Sequence, residues 1–149
     1  MTGNCQPLVP RQPIPDRVPA TKLRQYCPAR SRKLTPIRTP TRLTADVREP
    51  GACFAFESGG VPLVVLRHPD GALRAFVNIC RHRGAPVAQG CGNARAFVCP
   101  YHGWTYDAAG KLLGTTDKVG FAGIDLASHG LVRLPAAERH GMLFVRPKP

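Results

Sequence analysis

The chain has 149 residues and six cysteines, and its 21 Lys/Arg against nine Asp/Glu give a net charge of +12. That length suits one domain with a real core; no apolar run approaches the roughly 18 residues of a membrane span, and no charged start with an apolar segment marks a signal peptide. Cys5, Cys27, Cys53 and Cys91 lack the spacing of a disulfide framework, so a secreted miniprotein is excluded and a reducing cytoplasm is expected.

Residues 1–45 read as a disordered arm. Eight of the sixteen prolines fall before residue 41, among Arg, Thr and Gln, and the first 50 residues carry ten Lys/Arg against three Asp/Glu. Such a segment has too few large apolar side chains to offset its ordering entropy. Its charge alone would suit nucleic acid or anionic lipid. No aromatic platform accompanies that charge, so neither partner is expected.

From residue 46 to 149 the pattern is that of one all-β domain. Short runs rich in β-branched and aromatic residues predict strands at Cys53–Glu57, Pro62–Arg67 and Leu73–Val77. Gly59-Gly60 and Pro69-Asp70-Gly71 supply turns between them. Further strands are predicted at Ala94–Val98, Trp104–Asp107, Leu112–Leu113, Leu131–Leu134 and Met142–Arg146, with helical periodicity only in part of Ala122–Ser128. Many short strands with Gly/Pro punctuation mean small antiparallel sheets in a barrel-like sandwich, with functional loops held at one end.

Two of those loops carry the chemistry. Cys80-Arg81-His82 is one clip, and Cys99-Pro100-Tyr101-His102 follows sixteen residues later. Two thiolates and two imidazoles at this spacing match a mixed-ligand [2Fe–2S] centre, sulfur on one iron and nitrogen on the other. A structural zinc is the alternative that the ligand types allow. Zinc sites, however, more often use a Cys pair and a separate His pair, whereas each clip here is mixed. Cys53 reads as a small core residue, Cys91 as a spare thiol, and His68, His129 and His140 as surface or turn histidines.

The runs Asn78-Ile79-Cys80-Arg81-His82-Arg83-Gly84-Ala85-Pro86 and Cys99-Pro100-Tyr101-His102-Gly103-Trp104-Thr105-Tyr106-Asp107 resemble the Rieske domain of aromatic-ring-hydroxylating dioxygenase α subunits. The similarity covers roughly Pro50 to Pro147. It implies that Cys80, His82, Cys99 and His102 bind the cluster, with Trp104 shielding it from water and Tyr106 placed to reach a cysteine sulfur. Arg81 and Arg83 flank the first clip, where a redox partner's acidic surface would meet them. Respiratory Rieske proteins add a cysteine to each clip and a serine near the sulfides. Here Arg83-Gly84-Ala85, Tyr101 and Trp104 take that ground, so the expected potential is at the lower end of about −150 to +300 mV.

The resemblance also implies partners: a ferredoxin or flavin reductase as electron donor, and a mononuclear catalytic iron held by two histidines and a carboxylate as acceptor. After His102 only His129 and His140 remain, with Asp125 and Glu138 nearby, and no Asp/Glu-x-x-His-x₄₋₅-His arrangement occurs. The chain is therefore expected to be the electron-carrying part of an oxidoreductase of aromatic hydrocarbon catabolism, its catalytic iron lying on another domain or subunit and a homo-oligomer being possible. A free-standing Rieske-type ferredoxin is the second expectation.

Overall fold

The computed structural model describes residues 44–117 and 119–146, so the expected arm lies outside the described residues except at its last two positions. A 3-10 turn at Thr44–Val47 crosses the expected boundary. Its last residue, Val47, is fully buried, and its carbonyl accepts from Arg67 Nε at 2.8 Å.

Ten strands follow, and no α-helix occurs among the described residues. β1 (Ala52–Ser58), β2 (Val61–Arg67), β3 (Leu73–Val77), β4 (Cys91–Asn93) and β8 (Arg133–Leu134) form an antiparallel sheet in the order β4-β1-β2-β3-β8. β5 (Ala96–Val98), β6 (Thr105–Asp107) and β7 (Leu112–Gly114) form a second sheet, and β9 (Ala136–Arg139) pairs with β10 (Met142–Val145). The all-β expectation holds.

β2 explains why one run in the sequence is apolar without alternation. Its Val64 and Leu66 enter a core with Phe76, Phe97, Trp104, Tyr106 and Leu112. Its Leu63 and Val65 enter a second core with Phe54, Val77, Leu143 and Val145. A central strand covered on both faces must be apolar at successive positions, not at every other one. The β1–β2 turn needs two residues at positive φ, and Gly59 (+58°) and Gly60 (+75°) supply them between the paired Ser58 and Val61.

β4 and β9 are strands that the sequence pattern does not announce. Cys91-Gly92-Asn93 lies at a sheet edge, registered on Phe54, Cys53 and Ala52, with only Cys91 partly covered. Ala136–Arg139 is mostly exposed and pairs along β10. Both hold through backbone ladders, which leave no apolar signature. The helical periodicity near Ala122–Ser128 yields a single 3-10 turn at Leu126–His129, capped by Asp125 Oδ1 accepting from Ala127 N at 3.0 Å. A segment interrupted by Gly123 and Gly130 is too short to nucleate more.

The three-stranded sheet lies over the first core. Phe97, Tyr106 and Leu112 point inward from it, and Val98 and Leu113 outward. The loop after β3 and the loop between β5 and β6 carry the two clips.

Candidate metal centre

Each clip is a loop tied to itself by backbone hydrogen bonds. In the first, Cys80 N donates to Ala85 O at 2.7 Å and Gly84 N to Cys80 O at 3.0 Å. In the second, Cys99 N donates to Trp104 O at 2.8 Å and Gly103 N to Cys99 O at 2.9 Å. Both close over the same span, although histidine stands two residues after one cysteine and three after the other.

Asn78, the one buried polar residue among those described, anchors the first loop to the end of β3. Its Oδ1 accepts from Val87 N and Ala88 N, each at 3.0 Å, and its Nδ2 donates to Ala88 O at 2.8 Å. The second loop is latched from outside by Thr116, whose hydroxyl donates to His102 O at 2.6 Å.

These loops bring like donors together. Cys80 and Cys99, at 1% and 2% exposure, face each other closely enough for each to govern the other's ionisation. The neighbouring thiol holds Cys99 down, helped by the Tyr101 and His102 amides, and Cys99 in turn pushes Cys80 up, burial adding to it. The thiol pair thus releases its first proton readily and its second reluctantly, as two sites facing one position do. The rings of His82 and His102 meet edge to face, centroids 4.6 Å apart.

Tyr106 supports the thiol pair from β6. Its hydroxyl lies 3.2 Å from Cys80 Sγ and accepts from Arg81 N at 3.0 Å, so toward a thiolate at Cys80 it is the donor. Burial, then the neighbouring Cys80, pushes the phenol up and keeps it protonated. Trp104, 2% exposed, stacks on His82 with centroids 4.9 Å apart and planes 7° apart. Phe121 meets both rings edge-on, and Tyr101 lies against His102 with centroids 3.8 Å apart.

The donors fit a bridged pair of metals. His82 Nδ1 is buried with no hydrogen-bond partner, an orphan that costs stability unless something coordinates it. Burial, then His102 and Arg83, pushes the His82 imidazole down, which keeps it neutral as a ligand must be. Among the described residues no group of three or more His, Cys, Asp or Glu is placed to hold one ion. Two sulfurs in one place and two imidazoles in another suit one iron each.

Arg81 is half-buried with an unpartnered Nε, and Arg83 is exposed. Cys53 is a buried free thiol on β1, but Cys91, expected to be a spare thiol, is disulfide-bonded. His68 pairs with Asp70 in a surface turn, and His140 is exposed at a turn with φ +51°. His129 ends the 3-10 turn, its ring 6.1 Å from that of Trp104. The sequence reading missed Asn78, Thr116 and Phe121. An asparagine closing an apolar strand just before a clip was a usable signal for the first, whereas the other two stand in segments with no pattern.

Residues 38–125 match the family model for the Rieske [2Fe-2S] domain. The glycine betaine monooxygenase oxygenase subunit of Chromohalobacter salexigens is 36% identical over 104 residues, which are 69% of this chain and 23% of that protein. The benzene 1,2-dioxygenase α subunit of Pseudomonas putida is 37% identical over 100 residues, 66% of this chain and 22% of that one. Among solved structures, naphthalene 1,2-dioxygenase from Rhodococcus sp. superposes with a TM-score of 0.66 at 29% identity, over 72% of this chain and 25% of that chain. The apo form of a quaternary ammonium Rieske monooxygenase gives the same TM-score and identity, over 71% and 31%. The chain spans about a quarter of the length of the curated relatives it matches.

Proposed function

Because the chain belongs to the Rieske [2Fe-2S] domain family, we propose that it is the electron-transfer domain of an aromatic-ring-hydroxylating oxygenase α subunit, formed by residues 46–149. Its cofactor is a Rieske-type [2Fe–2S] cluster, which supplies a one-electron carrier. In this reading Cys80 and Cys99 hold one iron as thiolates, and His82 and His102 hold the other through ring nitrogens. Trp104 keeps water from the face of His82, and Tyr106 directs its hydroxyl at the Cys80 sulfur. His102 is partly exposed, so a partner can approach it there.

A ferredoxin or flavin reductase is the donor we assign, and a mononuclear catalytic iron outside this sequence the acceptor. The cytoplasm is the compartment that suits such partners; no helix among the described residues is long and apolar enough to cross a membrane. The observation that carries the reading is the pairing of donors: thiol with thiol, imidazole with imidazole, and the orphaned His82 Nδ1 beside them.

Anaerobic reconstitution of the full chain with iron and sulfide tests it. About two irons and two acid-labile sulfides per chain are expected, with one-electron reduction by a ferredoxin reductase. Colourless protein, or zinc without labile sulfide, overturns it. Rapid reduction of cytochrome without any aromatic substrate would instead favour a free-standing ferredoxin.

A further inference from the structure

The two imidazoles of the candidate centre sit in unlike surroundings. His102 has the Tyr101 ring on one side and the edge of the His82 ring on another, and no Trp or Phe ring is stacked on it. His82 has aromatic walls: Trp104 lies parallel to it, and Phe121 stands at 87° to both, with centroids 5.2 Å from His82 and 5.3 Å from Trp104. Phe121 is only partly buried and sits in a stretch whose neighbours are exposed, so its place against the core has a local cause.

That cause is a turn built on Asp117. Its carboxylate accepts from Gly120 N at 2.7 Å, and its carbonyl accepts from Phe121 N at 3.2 Å. Phe121 O in turn accepts from Ile124 N at 3.1 Å. A Cβ at position 120 would meet the Asp117 carboxylate, which would have to swing aside and strain its bond to the residue-120 amide.

We propose that Phe121 is a positioning residue for the redox centre: with Trp104 it clamps the His82 ring and keeps water from it, making the two imidazoles inequivalent. The inference rests on the cluster reading above. The physical consequence concerns charge. An added electron makes the cluster more negative, and a dry aromatic wall solvates that charge less well than water does. The clamp therefore lowers the midpoint potential, and it fixes the orientation of one imidazole only.

The test uses the full chain with its cluster. Phe121→Ala is expected to raise the midpoint potential, to speed cluster loss to a chelator, and to alter the pulsed-EPR nitrogen couplings of one histidine in the reduced state while leaving the other's unchanged. Phe121→Tyr is expected to restore the parental values. Loss of cluster from Phe121→Ala with native circular dichroism, and its retention in Phe121→Tyr, also supports the clamp. A loaded Phe121→Ala protein with parental midpoint and both parental couplings overturns it. Failure of the parent chain to take up a cluster would strike the cluster reading itself, a result distinguishable from either.

Discussion

Gly84 and Gly103 occupy the same place in two loops of different sequence. Each donates its N–H to the carbonyl of the cysteine four residues before it, and each stands at positive φ, +81° and +68°. The loops are thus two copies of one turn, with histidine at the third position of the first copy and the fourth of the second. That offset lets the two cysteines meet and the two histidines meet.

Alanine at either glycine is expected to open its loop. A left-handed backbone costs a non-glycine residue about 1–2 kcal/mol. At position 103 the new Cβ also comes within 2.5 Å of Thr116 Cγ2, so the latch on His102 must shift. Gly103→Ala should load less cluster than Gly84→Ala, measured as iron and labile sulfide per chain. Equal, full loading of both variants would show that the turn geometry is dispensable.

Asn78 gives a stability prediction independent of any metal. Leucine there leaves the amides of Val87 and Ala88 without their acceptor, at about 1–3 kcal/mol for each buried group. For a domain of this size, about 4–8 °C of melting temperature goes with each kcal/mol. Asn78→Leu should therefore melt at least about 8 °C below the parent. Asn78→Asp keeps the acceptor oxygen, so its loss should be smaller, and thermal denaturation of the cluster-free proteins compares the two.

These two positions mark how far the sequence could be read. Strands with one or both faces in a core announce themselves, as β1, β2, β3 and β10 do, because their burial dictates apolar residues. β4 and β9 do not, since backbone pairing at an edge asks nothing of Gly92 or Glu138. The candidate donors could be picked out because cysteine and histidine are scarce and their spacing is short. The residues that hold those donors could not. Asn78 acts through amides nine and ten residues on, and Phe121 reaches His82 only once the chain has folded.

Asp70 should govern part of the acid response. The Ala72 amide, then His68 and Arg74, hold its carboxyl down at about 2. A depressed carboxyl contributes stability that is fully present above its unfolded value of about 3.9 and is lost as pH falls through the folded one. Asp70→Asn should thus lower the melting temperature at pH 6, with the difference from the parent shrinking between about pH 4 and pH 2. A difference that stays constant over that window would remove the ionic contribution of this turn.

Tyr106→Phe separates a hydrogen bond from a packing role, because the ring stays and only the hydroxyl goes. Reduction puts more negative charge on sulfur, which strengthens a bond donated from 3.2 Å away, so the hydroxyl stabilises the reduced state. Taking about 1 kcal/mol for that difference, and 59 mV per tenfold change in a one-electron couple, the midpoint should fall by about 40 mV. A redox titration of the two loaded proteins measures it. An unchanged midpoint would mean that Tyr106 serves the Arg81 amide and not the cluster.

His102→Cys asks which metal atom the second clip serves. If His102 is a ligand, cysteine in its place adds a thiolate and with it a negative charge that opposes reduction. The midpoint should then move from the Rieske window toward the value near −400 mV of all-cysteine clusters, with cluster retained in part. Alanine at the same position removes a donor without replacing it, so His102→Ala should fail to hold the cluster. A His102→Cys protein that loads fully and keeps the parental midpoint would place the nitrogen ligand elsewhere. It would leave the facing of the His82 and His102 rings, 4.6 Å between centroids, without a chemical purpose.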